Sequence, residues 1–130
     1  MNLLINIRNS LLKTARSFTY AFKGIYLVVR FENNTRVHLL ASVAALILSV
    51  LLKLSVVEWA LILIQIGLVW AAEIFNTALE KLVDLVSPDF NPRAGAIKDI
   101  AAGAVLVISI VALVVGTLVF GNKLVTIIKF

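Results

Sequence analysis

The chain contains no cysteine, which excludes a disulfide framework, a thiolate metal site and dithiol redox chemistry. Histidine occurs once, at His38, so a histidine-rich metal centre is excluded too. Proline occurs only at Pro88 and Pro92, leaving the rest of the chain open to long uninterrupted helices. Neither common phosphate-binding loop is present: there is no G-x-x-x-x-G-K-[ST] and no G-x-G-x-x-G. Acidic residues number 7 in 130, few enough that the position of each is informative.

Apolar residues dominate instead. The chain is 62% hydrophobic with a mean hydropathy of +1.06, values that belong to integral membrane proteins. Its length permits one compact domain, 1–130. Met1–Ile7 is too short an apolar run, with no small-residue cleavage site behind it, to be a secretory signal. Three stretches reach membrane length, at about 37–54, 59–86 and 97–120. The expected fold class is therefore all-α, with three transmembrane helices. Residues 1–31 carry Leu4, Ile7, Leu11, Leu12, Ala15, Phe18 and Phe22 at helical spacing, with Arg8, Lys13, Arg16 and Lys23 interleaved. That pattern predicts an amphipathic helix lying in the interface, basic side to the lipid headgroups. Gly24 is expected to loosen it, and Asn33-Asn34-Thr35 to break the chain before the membrane. Lys53 can snorkel at the far end of the first span. Trp59 is expected as an interface anchor after a short turn over Leu54–Val57. The second break is expected over Ser87-Pro88-Asp89-Phe90-Asn91-Pro92. Ala101-Ala102-Gly103-Ala104 in the third span allows close helix approach.

The net charge of +5 is unevenly spread. Arg8, Lys13, Arg16, Lys23, Arg30 and Arg36 precede the first span, opposed there by Glu32 alone, and Lys81, Arg93 and Lys98 flank the second connection. The positive-inside rule then places the N-terminus and the second connection in the cytoplasm. Anionic headgroups, rather than nucleic acid, are the expected partner of the basic N-terminal segment.

Glu73 lies within the second apolar stretch, and Asn76, Glu80 and Asp84 follow it at spacings of 3, 4 and 4. At 100° per residue the four fall within roughly 80° of arc, one polar stripe on an apolar helix. A carboxylate at bilayer depth costs on the order of 3 kcal/mol, which marks it as functional. Measured from Trp59, Glu73 lies about 21 Å along the helix and Glu80 about 10 Å further, so the stripe joins inner-leaflet depth to the cytosol. Glu73 is a candidate general base toward a lipid hydroxyl, or alternatively a protonated partner in a helix–helix hydrogen bond. Asn76 can orient Glu73 or a phosphate, or act as interhelical glue. Glu80, with its hard oxygen ligands, is a candidate Mg²⁺ ligand. Glu32 can supply a second carboxylate to the same ion, or merely offset Arg30 and Arg36. Lys98-Asp99 sits where phosphates can reach, or is ordinary interface charge. His38 is expected to be an interface residue.

Ala72-Glu73-Ile74-Phe75-Asn76-Thr77-Ala78-Leu79-Glu80-Lys81-Leu82-Val83-Asp84 resembles the signature E-[IL]-x-N-[ST]-A-[IL]-E-x-x-V-D of the small prokaryotic integral-membrane diacylglycerol kinases, a family that includes the undecaprenol kinases. Lys98-Asp99-Ile100-Ala101-Ala102-Gly103-Ala104-Val105-Leu106 resembles its second block, and Tyr20-Ala21-Phe22-Lys23-Gly24 and Glu32 with Arg36 match upstream. The resemblance implies a homotrimeric bundle of three-span subunits in the prokaryotic cytoplasmic membrane that phosphorylates a membrane lipid alcohol with Mg-ATP. It implies Glu73 as catalytic base with Asn76 and Asp84 in support, and Glu32 and Glu80 on the metal and ATP. Lys13, Tyr20, Asp89, Phe90, Asn91, Lys98 and Asp99 are implied to contact the nucleotide. Lys13 stands where the diacylglycerol kinases carry arginine, so its phosphate contact would be less directional. Asp89-Phe90-Asn91 likewise departs from the family's Glu-Tyr-His. Ser87–Pro92 and Ile100–Leu106 look closer to the undecaprenol kinases of the Gram-positive type. The rival reading, a small proton-coupled transporter built on one intramembrane carboxylate, accounts for Glu73. It leaves Glu32, Glu80, Asp84 and Lys98-Asp99 without a role.

Overall fold

The computed structural model describes residues 2–128, with side chains for all of these except 2–5, 8 and 9. Four helices follow one another: α1 (Asn2–Phe31), α2 (Asn33–Leu51), α3 (Val56–Val86) and α4 (Pro92–Ile128). Among the described residues there is no strand. The chain forms two compact units that divide after Glu32.

The first unit is α1. It runs through Gly24 without a break, because an exposed helical glycine costs only about 1 kcal/mol against 30 residues of backbone hydrogen bonding. Thr14, Ser17 and Thr19 each return their hydroxyl hydrogen bond to the carbonyl four residues earlier. Near its end Arg30 lies over the Tyr26 and Phe31 rings, 5.9 and 5.4 Å from their centroids, and donates to the Tyr26 hydroxyl. Lys13 and Tyr20 are exposed.

The second unit holds α2, α3 and α4, each long and apolar enough to cross a membrane. Its first helix begins at Asn33, so the expected break over Asn33–Thr35 is confined to Glu32. The physical reason is tertiary: Thr35 is fully buried and donates its hydroxyl to Glu73, a contact that draws the polar run into the helix. At the other end α2 stops in a Schellman turn. Lys53 N–H reaches the Val50 carbonyl, Leu54 N–H reaches the Ser49 carbonyl, and Lys53 takes φ 50°. That geometry usually calls for glycine, and it tucks Leu54 into an apolar cluster with Ile62 and Val119. Trp59 packs against this cluster.

Ser55 caps α3 and Glu58 reaches back to the Ser55 N–H, a capping box. It starts the helix at Val56, ahead of the expected 59, since both orphan donors of the first turn are satisfied there. The turn after α3 spans 87–91, and Pro92 belongs to α4 rather than to the loop. Asn91 Oδ1 accepts from the Arg93 N–H, and a proline tolerates the first helical position because that N–H has no partner to lose.

The antiparallel pair α3–α4 dominates the packing and is tied at both ends. Lys123 pairs with Glu58 at 3.6 Å, and Lys98 pairs with Asp84. Glu58 and Asp84 are 26 residues apart on one helix, about 39 Å at 1.5 Å per residue. A bilayer with its headgroup regions is roughly 40–45 Å thick, so the two ion pairs sit where charge can meet water.

Candidate functional site

The stripe on α3 is buried at Glu73 and Asn76, half-buried at Glu80 and exposed at Asp84. Glu73, Asn76 and Thr77 are buried and Glu80 is half-buried, because this face of α3 packs toward α2 and α4. The side chains of Glu73, Asn76 and Glu80 line an open cavity of about 340 Å³, together with Asn34 and His38 from α2 and Ala102, Val105, Leu106 and Ser109 from α4. Of the alanines in the third span's small-residue run, Ala101 is buried, while Ala102 is exposed and lines the cavity.

Glu73 is 3% exposed, and each of its oxygens faces a different group. Thr35 Oγ1 donates to Oε1 at 3.2 Å. His38 Nε2 stands 3.9 Å from Oε2, close enough to orient the carboxylate without occupying it. One turn further, Asn76 Nδ2 donates to Glu80 Oε1 at 3.0 Å. This leaves Asn76 Oδ1 buried with no hydrogen-bond partner among the described residues. A buried amide oxygen without a partner costs about 1–3 kcal/mol. Such an atom beside a carboxylate is a hard donor set that fits a divalent cation, with the remaining ligands drawn from phosphate and water. Among the described residues no three acidic or histidine side chains converge on one point.

Of the residues singled out in the sequence, Glu73, Asn76 and Glu80 are brought together, and Asp84 with Lys98 lies beyond them at the end of the stripe. Asp99 is exposed and does not line the cavity. Asp89 is exposed, and Phe90 is exposed almost completely, both in the loop. Asn91 is committed to capping α4. Lys13 and Tyr20 lie on α1 and Glu32 closes that unit.

Sequence reasoning missed Thr35 and the proximity of His38 to Glu73. Both lie on α2 and reach Glu73 across 38 and 35 residues of sequence. Their spacing of three on one helix face was the available signal, but an isolated threonine and histidine near a span boundary carry no chemistry of their own. His38 is half-buried, with Nε2 3.9 Å from Glu73 Oε2, a proximity that the interface reading did not include.

Residues 19–120 match the family described as prokaryotic diacylglycerol kinase. The chain is 41% identical over 117 residues to the undecaprenol kinase of Bacillus subtilis, covering 90% of this chain and 95% of that protein. It is 39% identical over 101 residues to a diacylglycerol kinase of Synechocystis, covering 77% of this chain and 58% of that one. To the diacylglycerol kinase of Escherichia coli K12 it is 28% identical over 95 residues, 73% of this chain and 78% of that protein. With its three membrane-length helices and this match over most of its length, the chain is a multi-pass membrane protein that belongs to the prokaryotic diacylglycerol kinase family.

Proposed function

We propose that this protein is a lipid kinase that transfers the γ-phosphoryl group of ATP to the hydroxyl of a membrane lipid alcohol, undecaprenol or diacylglycerol. The family and the names of its relatives support phosphorylation of a lipid. The observation that carries the chemistry is the buried Glu73, held on two sides and open to a cavity it shares with Asn76 and Glu80. A base in that position takes the proton of the lipid hydroxyl as its oxygen attacks phosphorus, and the ADP β-phosphate leaves in line. Asn76 keeps Glu80 aimed into the same cavity. Glu80 and Glu32 are the carboxylates that would hold Mg²⁺ with ATP, and the unpartnered Asn76 Oδ1 beside Glu80 supports that donor set. When bound, the ion neutralises charge on the phosphates.

In this reading α1 lies in the interface with its basic residues on anionic headgroups, and the whole chain is one membrane-bound catalytic domain. Lys13, Tyr20, Asp89, Phe90, Asn91, Lys98 and Asp99 take the nucleotide from the cytoplasmic side, Lys98 exchanging Asp84 for phosphate. The distribution of basic residues supports a cytoplasmic N-terminus in a prokaryotic inner membrane. In this reading the chain assembles as a homotrimer. A proton-coupled transporter leaves the Asn76–Glu80 pair unexplained.

The test is phosphate transfer by the purified protein in mixed micelles, with undecaprenol and diacylglycerol offered side by side with Mg-ATP. Labelled lipid phosphate is expected from at least one of them; proton-coupled uptake in vesicles with no lipid phosphate formed would reverse the assignment.

A further inference from the structure

Each transfer to a lipid hydroxyl leaves one proton on Glu73, and the residue must lose it before it can act again. Glu73 is 3% exposed, and the cavity it opens on is where lipid hydroxyl and phosphates meet, so release straight to water is obstructed. Thr35 already donates its hydroxyl to Oε1 and is fully buried; a proton handed to it has no way out. Glu80 is held by Asn76 and belongs to the metal in the kinase reading. The residues that α4 brings to the cavity, Ala102, Val105, Leu106 and Ser109, carry no charge.

His38 differs from all of these. Its Nε2 faces Oε2 at 3.9 Å, about 0.7 Å beyond hydrogen-bond reach, a gap of the kind that closes when substrates bind. A neutral imidazole has one bare nitrogen to accept a proton. The His38 side chain is 19% exposed where that of Glu73 is 4%, so it has the opening that the carboxylate lacks. Its backbone is also held in place. Trp70 Nε1 on α3 donates to Ser42 Oγ at 3.0 Å, and Ser42 Oγ donates to the His38 carbonyl at 2.7 Å. Trp70 is three residues before Glu73, so one stretch of α3 fixes both the base and the segment that carries the imidazole.

We infer that His38 relays the substrate's proton from Glu73 to water. Nε2 begins bare, with the ring hydrogen on Nδ1. After phosphoryl transfer the Oε2–H bond of Glu73 breaks and an Nε2–H bond forms; the imidazolium then gives the proton up to water at the mouth of the cavity. Glu73 returns as a carboxylate. His38 touches no substrate and acts only through Glu73. The inference rests on the kinase reading and deepens it: the first transfer does not need His38, whereas every later one does.

The experiment is rapid-quench measurement of lipid phosphate by the full chain in mixed micelles, with Mg-ATP and undecaprenol or diacylglycerol. In His38→Gln a burst of one lipid phosphate per site should appear at the native rate, followed by turnover slower by on the order of 100-fold, the lower end of general acid–base contributions. His38→Ala should behave likewise. Added imidazole should restore most of its turnover, and pyrazole, of the same size but far less basic, should not. A first transfer slowed as much as later ones, rescue by pyrazole, or native turnover in His38→Gln would overturn the relay and leave the kinase intact. A native protein that phosphorylates neither alcohol would remove both. Should the variants fold poorly, the native protein serves, since His38 is its only histidine. Carbethoxylation there should give a burst and then a stall, reversed by hydroxylamine. Full turnover after modification, or a ring that the reagent never reaches from water, would overturn the relay.

Discussion

Replacing Glu73 by glutamine separates its chemical role from its structural one, because the two substitutes available at this position differ in what they leave behind. In Glu73→Gln the amide oxygen still accepts from Thr35 Oγ1, now 3.2 Å from Oε1. The amide nitrogen takes the place of Oε2, 3.9 Å from His38 Nε2, beyond hydrogen-bond distance. Shape and volume are kept, so the stability cost should stay below about 1 kcal/mol, the worth of one ordinary hydrogen bond. The rate is another matter. A positioned general base contributes about 10² to 10⁴, and with the site at 3% exposure water does not substitute freely. A loss near 10⁴ is expected, about 5.5 kcal/mol of transition-state stabilisation. Glu73→Ala should lose the same activity but also about 1–3 kcal/mol of stability, because it strands the buried Thr35 hydroxyl. The assay is labelled phosphate transfer in mixed micelles, run beside thermal unfolding and size exclusion of the same preparations. More than a tenth of native turnover in Glu73→Gln, with unfolding temperature and elution unchanged, would refute the assignment of the base.

Glu80→Ala and Glu32→Ala should each shift the Mg²⁺ dependence of turnover to higher concentration, since a phosphate-bound divalent ion takes one or two protein carboxylates. Added Mg²⁺ should partly rescue either variant but not Glu73→Gln; superimposable Mg²⁺ curves would remove both residues from the metal. Thr35→Val keeps the volume but withdraws the donor to Glu73, and should lower stability by about 1–3 kcal/mol, read by thermal unfolding. Ser55→Ala breaks the capping box and should cost about 1 kcal/mol with activity unchanged; lost activity at full stability would place a function at that end. Mixing Glu73→Gln chains with Glu32→Ala chains should recover turnover if subunits share sites, and no recovery in verified mixed oligomers would confine each site to one chain.

Composition and periodicity alone settled that this is an all-helical membrane protein, because burying backbone in lipid leaves helices as the solution for long apolar runs. The 3, 4, 4 spacing put Glu73, Asn76, Glu80 and Asp84 on one face, since helix geometry is local and follows from residue number. Ser55-x-x-Glu58 was equally legible as a helix start, although an apolar-run reading passes over it in favour of Trp59. What no local pattern contains is the partner across the bundle. Thr35 and His38 meet Glu73, Lys98 meets Asp84 and Lys123 meets Glu58 only after three helices pack. The same packing drew Asn33–Thr35 into α2 against their turn-forming preference, for one buried hydrogen bond can outweigh a weak local propensity. It also left a cavity of about 400 Å³ beside Ala45, Ala112 and Gly116, whose small side chains look alike in sequence whether a neighbour fills the space or a ligand does. Volume is a property of what surrounds a residue, and only the tertiary structure decides it.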